Sequence, residues 1–269
     1  MKMSYAIYRV AELVFVLSTC SVMTLSPSVY AATFIVDSTA DTVDVSPGNG
    51  ICSDGSGNCA LRAAIMETNA LAGADVIDLP AGTYTLSIGG RNEDASVTGD
   101  LDITDDLTIN GAVEADTIID ASAIDRVLHI IGPSIVQISE VTVTGGNDDD
   151  TAYIAGGGIV NEGTATLTNC TISNNYSAEG AGGISNGIGA TLTVTDCTIS
   201  DNENTGVVNE GESIAILMRS TIANNEDSNI TNRDSADLRI EYSTILTPQG
   251  TGLWVADGTV EILNTSFSG

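Results

Sequence analysis

The 269-residue chain carries 36 acidic side chains against eight Lys and Arg, a formal net charge of −28, and it holds a single His. A surface this acidic repels nucleic acid and anionic membranes, which argues against both as partners. It suits a solvated, self-repelling exterior or the attraction of Ca²⁺.

Residues 1–31 read as a signal peptide rather than as part of the fold. Lys2 and Arg9 make a basic start, the stretch to Leu25 is mostly apolar apart from Glu12, and Val29-Tyr30-Ala31 has small residues where a signal peptidase cuts. Cleavage is expected after Ala31. The mature chain is then expected to be secreted or held at the cell surface, with 35 acids against six Arg and no Lys, a net charge of about −29. No later stretch is long and apolar enough for a transmembrane span.

Residues 32–98 read as an N-terminal cap. Phe34-Ile35-Val36 is a short strand, and a polar loop follows that contains Cys52 and Cys59. In an exported protein this close pair reads first as a local disulfide, with free thiols or a metal pair as the lesser readings. The spacing of Leu61, Ala64, Ile65, Thr68 and Leu71 predicts one amphipathic helix over about 60–71. A solenoid exposes the apolar interior of its first coil unless something covers it, and this helix is the natural lid. Val76-Ile77-Asp78-Leu79 and Tyr84-Thr85-Leu86 then begin the first coil.

Residues 99–269 read as the coils. After the early strands Leu101-Asp102-Ile103, Leu107-Thr108-Ile109 and Val127 to Ile131, one phrase recurs six times: Ile138/Val143, Leu167/Ile172, Val194/Ile199, Leu217/Ile222, Ile240/Ile245 and Ile262/Phe267. The intervals are 29, 27, 23, 23 and 22 residues, the period of a solenoid. The residue two before each second apolar position is small: Val141, Cys170, Cys197, Ser220, Ser243 and Thr265. Alternation along a strand points this column inward and the intervening Thr column outward. The two apolar positions of a phrase are five apart, an odd interval, so one unbroken strand cannot bury both. A corner must fall near the variable polar column Glu140, Asn169, Asp196, Arg219, Tyr242 and Asn264. The resulting fold class is all-β, a right-handed parallel β-helix with one N-terminal capping helix. Cys170 and Cys197 share the inward column of adjacent coils. Stacked parallel strands hold their Cβ atoms farther apart than a relaxed disulfide prefers, so two buried thiols are favoured over a bond. The Asn residues that close the turns at Asn161, Asn186, Asn209 and Asn232 are placed to form a hydrogen-bonded ladder. The chain stops at Phe267-Ser268-Gly269 with no capping segment, so the coils look truncated at the C-terminus, and a continuing reading frame or self-association at that end is expected.

A resemblance now becomes specific. Cys59-Ala60-Leu61-Arg62-Ala63-Ala64, with Ile65 to Asn69 and Ile77-Asp78-Leu79-Pro80-Ala81-Gly82-Thr83-Tyr84 after it, resembles the CSLREA domain. Ala60 and Ala63 depart from that motif, changes expected to be mild on a helix surface. The coils resemble the bacterial surface β-helix repeats found behind that domain. The resemblance implies an exported right-handed β-helix, often with a C-terminal surface anchor. It implies no settled activity, so no catalytic residue is carried over.

The chemistry is sparse. The runs that mark pectin-hydrolysing β-helices are absent. His129 lies in an apolar strand, where a structural role is expected, and Arg219 and Arg239 read as standing alone rather than beside acids. No catalytic residue is therefore assigned. Asp148, Asp149 and Asp150 form an exposed acidic loop that is the candidate for Ca²⁺, the only cofactor considered, although a plain solvated loop competes with it. The expected function is non-enzymatic binding or adhesion to a polysaccharide, a cell-surface glycan or another surface. The alternative is a polysaccharide-active lyase or hydrolase with an unfamiliar site.

Overall fold

The computed structural model describes residues 31–149, 155–247 and 250–269. Its strands form three parallel sheets, which the chain visits in turn as it winds. The first has nine strands, from Thr33–Ile35 through Ile135–Ser139, Thr164–Thr168 and Thr191–Thr195 to Thr259–Leu263. The second has eight, from Gly82–Thr85 through Thr142–Thr144 and Thr171–Ser173 to Ser266–Ser268. The third also has eight, from Leu101–Ile103 through Leu128–Ile130 and Ile159–Asn161 to Thr251–Val255, with the short strand Asn147–Asp148 beside Tyr176–Asn186. This is a right-handed parallel β-helix, with one helix among the described residues, near the start of the coils.

The columns expected from the sequence stack in register. Leu167 lies beside Ile138 and Val194, and Ile172 beside Val143 and Ile199. Within one coil Leu192, Val194, Cys197, Ile199 and Val207 are all buried. Each large aliphatic so buried contributes about 2 kcal/mol. In the last coil Ile262 and Phe267 keep the register but are exposed.

The corner between the first two sheets falls on the variable polar column. Glu140, Asn169, Asp196, Arg219, Tyr242 and Asn264 all adopt left-handed backbone, with φ between 48° and 58°. One left-handed residue turns the strand sharply, and this restores an inward direction to both apolar positions of the phrase. In the preceding coil Gly111 stands at this place, where an added Cβ would lie 2.0 Å from the Glu140 carbonyl oxygen.

Three sets of side chains run along the axis inside the corners. Asn161, Asn186 and Asn209 each donate from Nδ2 to the Oδ1 of the next, ending at Asn232, at 2.7, 2.8 and 2.8 Å. Asn175, Asn202 and Asn225 do the same, ending at Asn229, at 3.1, 3.0 and 2.9 Å. In the small inward column, the backbone N–H of Cys170 meets Cys197 Sγ at 3.3 Å, and those of Cys197 and Ser220 donate to Ser220 Oγ and Ser243 Oγ at 3.1 and 3.2 Å.

The helix α1, Leu61–Ala70, covers the first coil, touching the strands Asp75–Leu79 and Leu101–Ile103. It is not amphipathic in its setting. Arg62, Ala63 and Glu67 are as buried as Leu61 and Ile65, and Ala60 is fully buried too, so the positions expected on a helix surface are interior. Two loops close over its outer side. Arg62 donates to the carbonyls of Ser96, Gly99 and Asp100 at 3.1, 2.7 and 3.0 Å and pairs with Asp41 at 2.6 Å. Glu67 accepts from the N–H groups of Gly48, at 2.6 Å, and Gly50. Cys52 and Cys59 are bonded within the first of these loops, with Cα atoms 5.1 Å apart.

Candidate functional site

Two regions gather polar side chains at the surface, and each follows from the coil geometry. The first lies at the corner between the second and third sheets. Asn174, Asp201 and Asn224 turn the chain there with φ of 56–57°. The next residue points inward as the Asn175–Asn202–Asn225 ladder, and the one after points out. Register puts Asn147, Tyr176 and Glu203 side by side in successive coils. The backbone N–H groups of Glu203 and Glu226 bond to Asn175 and Asn202, which places Glu226 next along the same line. Two shallow depressions meet at Tyr176. One is bordered by Gly146, Asn147, Asn174 and Glu203, and the other by Ser177, Asn204, Glu226 and Asp227. Together they form an open groove along the axis, acidic at one end, with a single aromatic ring at its centre.

The second region sits on the third sheet, near the cap. In Leu128–Ile130 the flanking residues point inward and His129 points out, and register sets Asp102 directly beside it. The segment between Thr85 and Leu101 folds over both. Ser96 N–H donates to Asp102 Oδ2 at 2.9 Å, while Asp102 Oδ1, fully buried, accepts no hydrogen bond. His129 Nδ1 lies 3.4 Å from that Oδ1 and 4.0 Å from Asp94 Oδ1, and its Nε2 lies 3.4 Å from Glu162 Oε2. Burial works against the charged imidazole, but the Asp102 carboxylate, with Asp100 and Glu162, outweighs it and raises the His129 pKa.

Behind this group Asp100 is pushed up to about 8, first by burial and then by the charge of Asp102. Arg126 Nε is 3.1 Å from Asp100 Oδ2, but the two are not aligned as donor and acceptor, so neither has a hydrogen-bond partner. Asp125 is raised as well, again chiefly by burial.

Several sequence expectations change. Asp148 is not on an exposed loop: it is 2% exposed and accepts the Gly156 N–H at 2.8 Å. Asp149 is paired with Arg91, and Asp150 lies outside the described residues, as does the predicted signal peptide up to residue 30. Arg219 and Arg239 are not alone. Arg219 chelates Asp196 of the neighbouring coil at 2.7 and 2.8 Å, and Arg239 meets Glu241 and Glu261. Cys170 and Cys197 stand as buried thiols, with the Cys170 sulfur and burial together pushing the Cys197 thiol up. The sequence does not display the His129 group directly, because the Leu101 and Leu128 strands lie in irregular coils with no repeat to align them. Asp102 and His129 each sit between two apolar residues, and that alternation was the available signal.

Among the described residues no helix is long and apolar enough to cross a membrane. No curated protein and no solved structure matches the chain. A family model described as the right-handed β-helix region matches residues 126–269, more than half of the sequence and all of its regular coils. The chain therefore belongs to the right-handed β-helix family.

Proposed function

We propose that the chain is an exported β-helix that binds a linear glycan along the groove centred on Tyr176, without turning it over. The observation that carries this reading is the straight column Asn147, Tyr176, Glu203 and Glu226. Tyr176, Glu203 and Glu226 offer one exposed side chain per coil at a spacing of about 4.8 Å, with the half-buried Asn147 at the head of the line. Such a track meets a polymer whose rings repeat at a comparable length, with Tyr176 as the stacking surface and the Asn and Glu side chains as hydrogen-bond partners. Glu203, Glu226 and Asp227 make the groove acidic, which favours a neutral or amino-bearing glycan over a uronate polymer. Export and a surface location rest on the targeting segment expected in residues 1–31 and on the CSLREA resemblance around Cys59 and Arg62.

The second reading is hydrolysis. Glu203 and Glu226 stand one coil apart in the same groove, and paired carboxyls at about 5 Å are the arrangement of retaining glycosidases.

Affinity electrophoresis through gels loaded with linear neutral glucans, xylans or chitosan tests both. Retardation by one of these polymers that Tyr176→Ala reduces at least tenfold is the expected result, with no new reducing ends. Release of reducing ends, abolished by Glu203→Gln, replaces the binding reading with the enzymatic one. Wild-type mobility unaffected by every polymer removes the groove as a glycan site.

A further inference from the structure

We propose that His129, Asp102 and Asp94 form a binding site for one divalent transition-metal ion, with Zn²⁺ the best match. The three offer one imidazole nitrogen and two carboxylate oxygens, all within 4.8 Å of one another. A mixed nitrogen and oxygen set of this kind suits Zn²⁺ rather than Ca²⁺ or Mg²⁺, which prefer oxygen throughout. Donors at about 2.0–2.1 Å from a tetrahedral ion are about 3.3–3.4 Å apart. His129 Nδ1 and Asp102 Oδ1 are already separated by 3.4 Å. Asp94 Oδ1, at 4.0 Å from Nδ1, needs only a small shift, and its side chain is 76% exposed on the covering segment and has room to make it.

Two further observations separate this group from an ordinary acidic cluster. Asp102 Oδ1 is completely buried, accepts no hydrogen bond and faces the imidazole, whereas Asp102 Oδ2 is held by the Ser96 N–H. A buried carboxylate oxygen left without a donor costs free energy that a cation in this position would recover. The far side of the ring is also prepared. His129 Nε2 faces Glu162 Oε2 at 3.4 Å. A carboxylate there accepts a hydrogen bond from Nε2–H, which keeps the remaining ring proton on Nε2, leaves the Nδ1 lone pair for the metal and fixes the ring's orientation. With three protein donors the fourth position falls to water. The ion would clamp the segment that bears Asp94 onto the third sheet, beside the cap.

The test is titration of the full chain, without a histidine tag and stripped by chelator, with ZnCl₂ in a calorimeter. Co²⁺ absorption reports the coordination geometry. The expected result is saturable 1:1 binding of Zn²⁺, with d–d bands of a four-coordinate ion for Co²⁺. His129→Ala and Asp102→Asn are expected to weaken binding at least a hundredfold, and Glu162→Gln about tenfold to a hundredfold. Asp94→Ala changes a side chain that is 76% exposed and is expected to leave the fold intact, which far-UV circular dichroism checks; a tenfold or greater loss in this variant supports the site. Absence of saturable Zn²⁺ binding by the wild type overturns the proposal. So does binding that stays within threefold of wild type in folded Asp94→Ala and His129→Ala.

Discussion

The coils before residue 126 and the coils after it share three sheets but are held by different means. In the later coils the polar groups that must go inside are, apart from Asp148, neutral, and most of them are periodic. Asn161, Asn186, Asn209 and Asn232 satisfy one another from coil to coil, and the column from Cys170 to Ser243 does the same with backbone N–H groups. In the earlier coils the interior is ionic and specific. Arg62, Asp41 and Glu67 are fitted singly to loops that have no period. A repeat of constant length can satisfy its own buried polar atoms with copies of one residue. Where the length varies, loops fill the difference, and each must be secured by a bespoke charged contact.

The largest effect is expected in the early coils. Arg62→Ala leaves Asp41 as an unpaired charge and strips three buried carbonyls of their donor, a loss of about 4 kcal/mol in thermal or urea unfolding. Hydrogen exchange should place the damage in the cap and the first coils while the later coils keep their protection. The same pair gives a pH signature. Burial acts to raise the Asp41 pKa, but the bonds from Arg62 and from the N–H groups of Ser87 and Ile88 prevail and lower it. A carboxyl depressed in the folded state contributes stability above its unfolded pKa of about 3.9, and that contribution is lost as pH falls through the folded value. Melting temperature should therefore decline on acidification below about pH 4, and Asp41→Asn should flatten that part of the profile.

A smaller loss is expected from the neutral ladder. Asn186→Ala removes the acceptor of Asn161 and the donor to Asn209 and to the Ile214 carbonyl, and should cost about 2 kcal/mol in urea unfolding. Equal loss of exchange protection in the coils above and below would show that the ladder acts as one unit. The smallest effect has the opposite sign. Tyr242 is 60% exposed with φ at 50°, and left-handed backbone costs a side chain about 1–2 kcal/mol. Tyr242→Gly should raise stability by about 0.5 kcal/mol after the entropy of glycine is deducted, read as a small rise in melting temperature.

The sequence disclosed what repeats and hid what does not. The odd interval between Leu167 and Ile172 required a corner, and Asn169 supplies it with left-handed backbone. The Asn161 ladder was visible because its members recur at one place in the turn. The second ladder was visible in principle, since Asn175, Asn202 and Asn225 each follow the second apolar position by three, but adjacent polar residues obscured it. The surroundings of His129 were hidden for a different reason. Asp94 and Ser96 arrive on a segment with no counterpart in other coils, and only its folding over Asp102 brings them near. The same holds for Arg62, whose position on a short helix gives no sign that loops bury it from the outer side.

The uniform step of the inner Asn column has an evolutionary corollary. Asn186, Asn209 and Asn232 are spaced by 23 residues, and so are Cys197, Ser220 and Ser243. Excising or duplicating a segment of that length rejoins every donor to an equivalent acceptor, so the rod can change its length by whole storeys without redesigning its joints. A gene that slips by one such module alters how far the protein reaches while every joint keeps its partner.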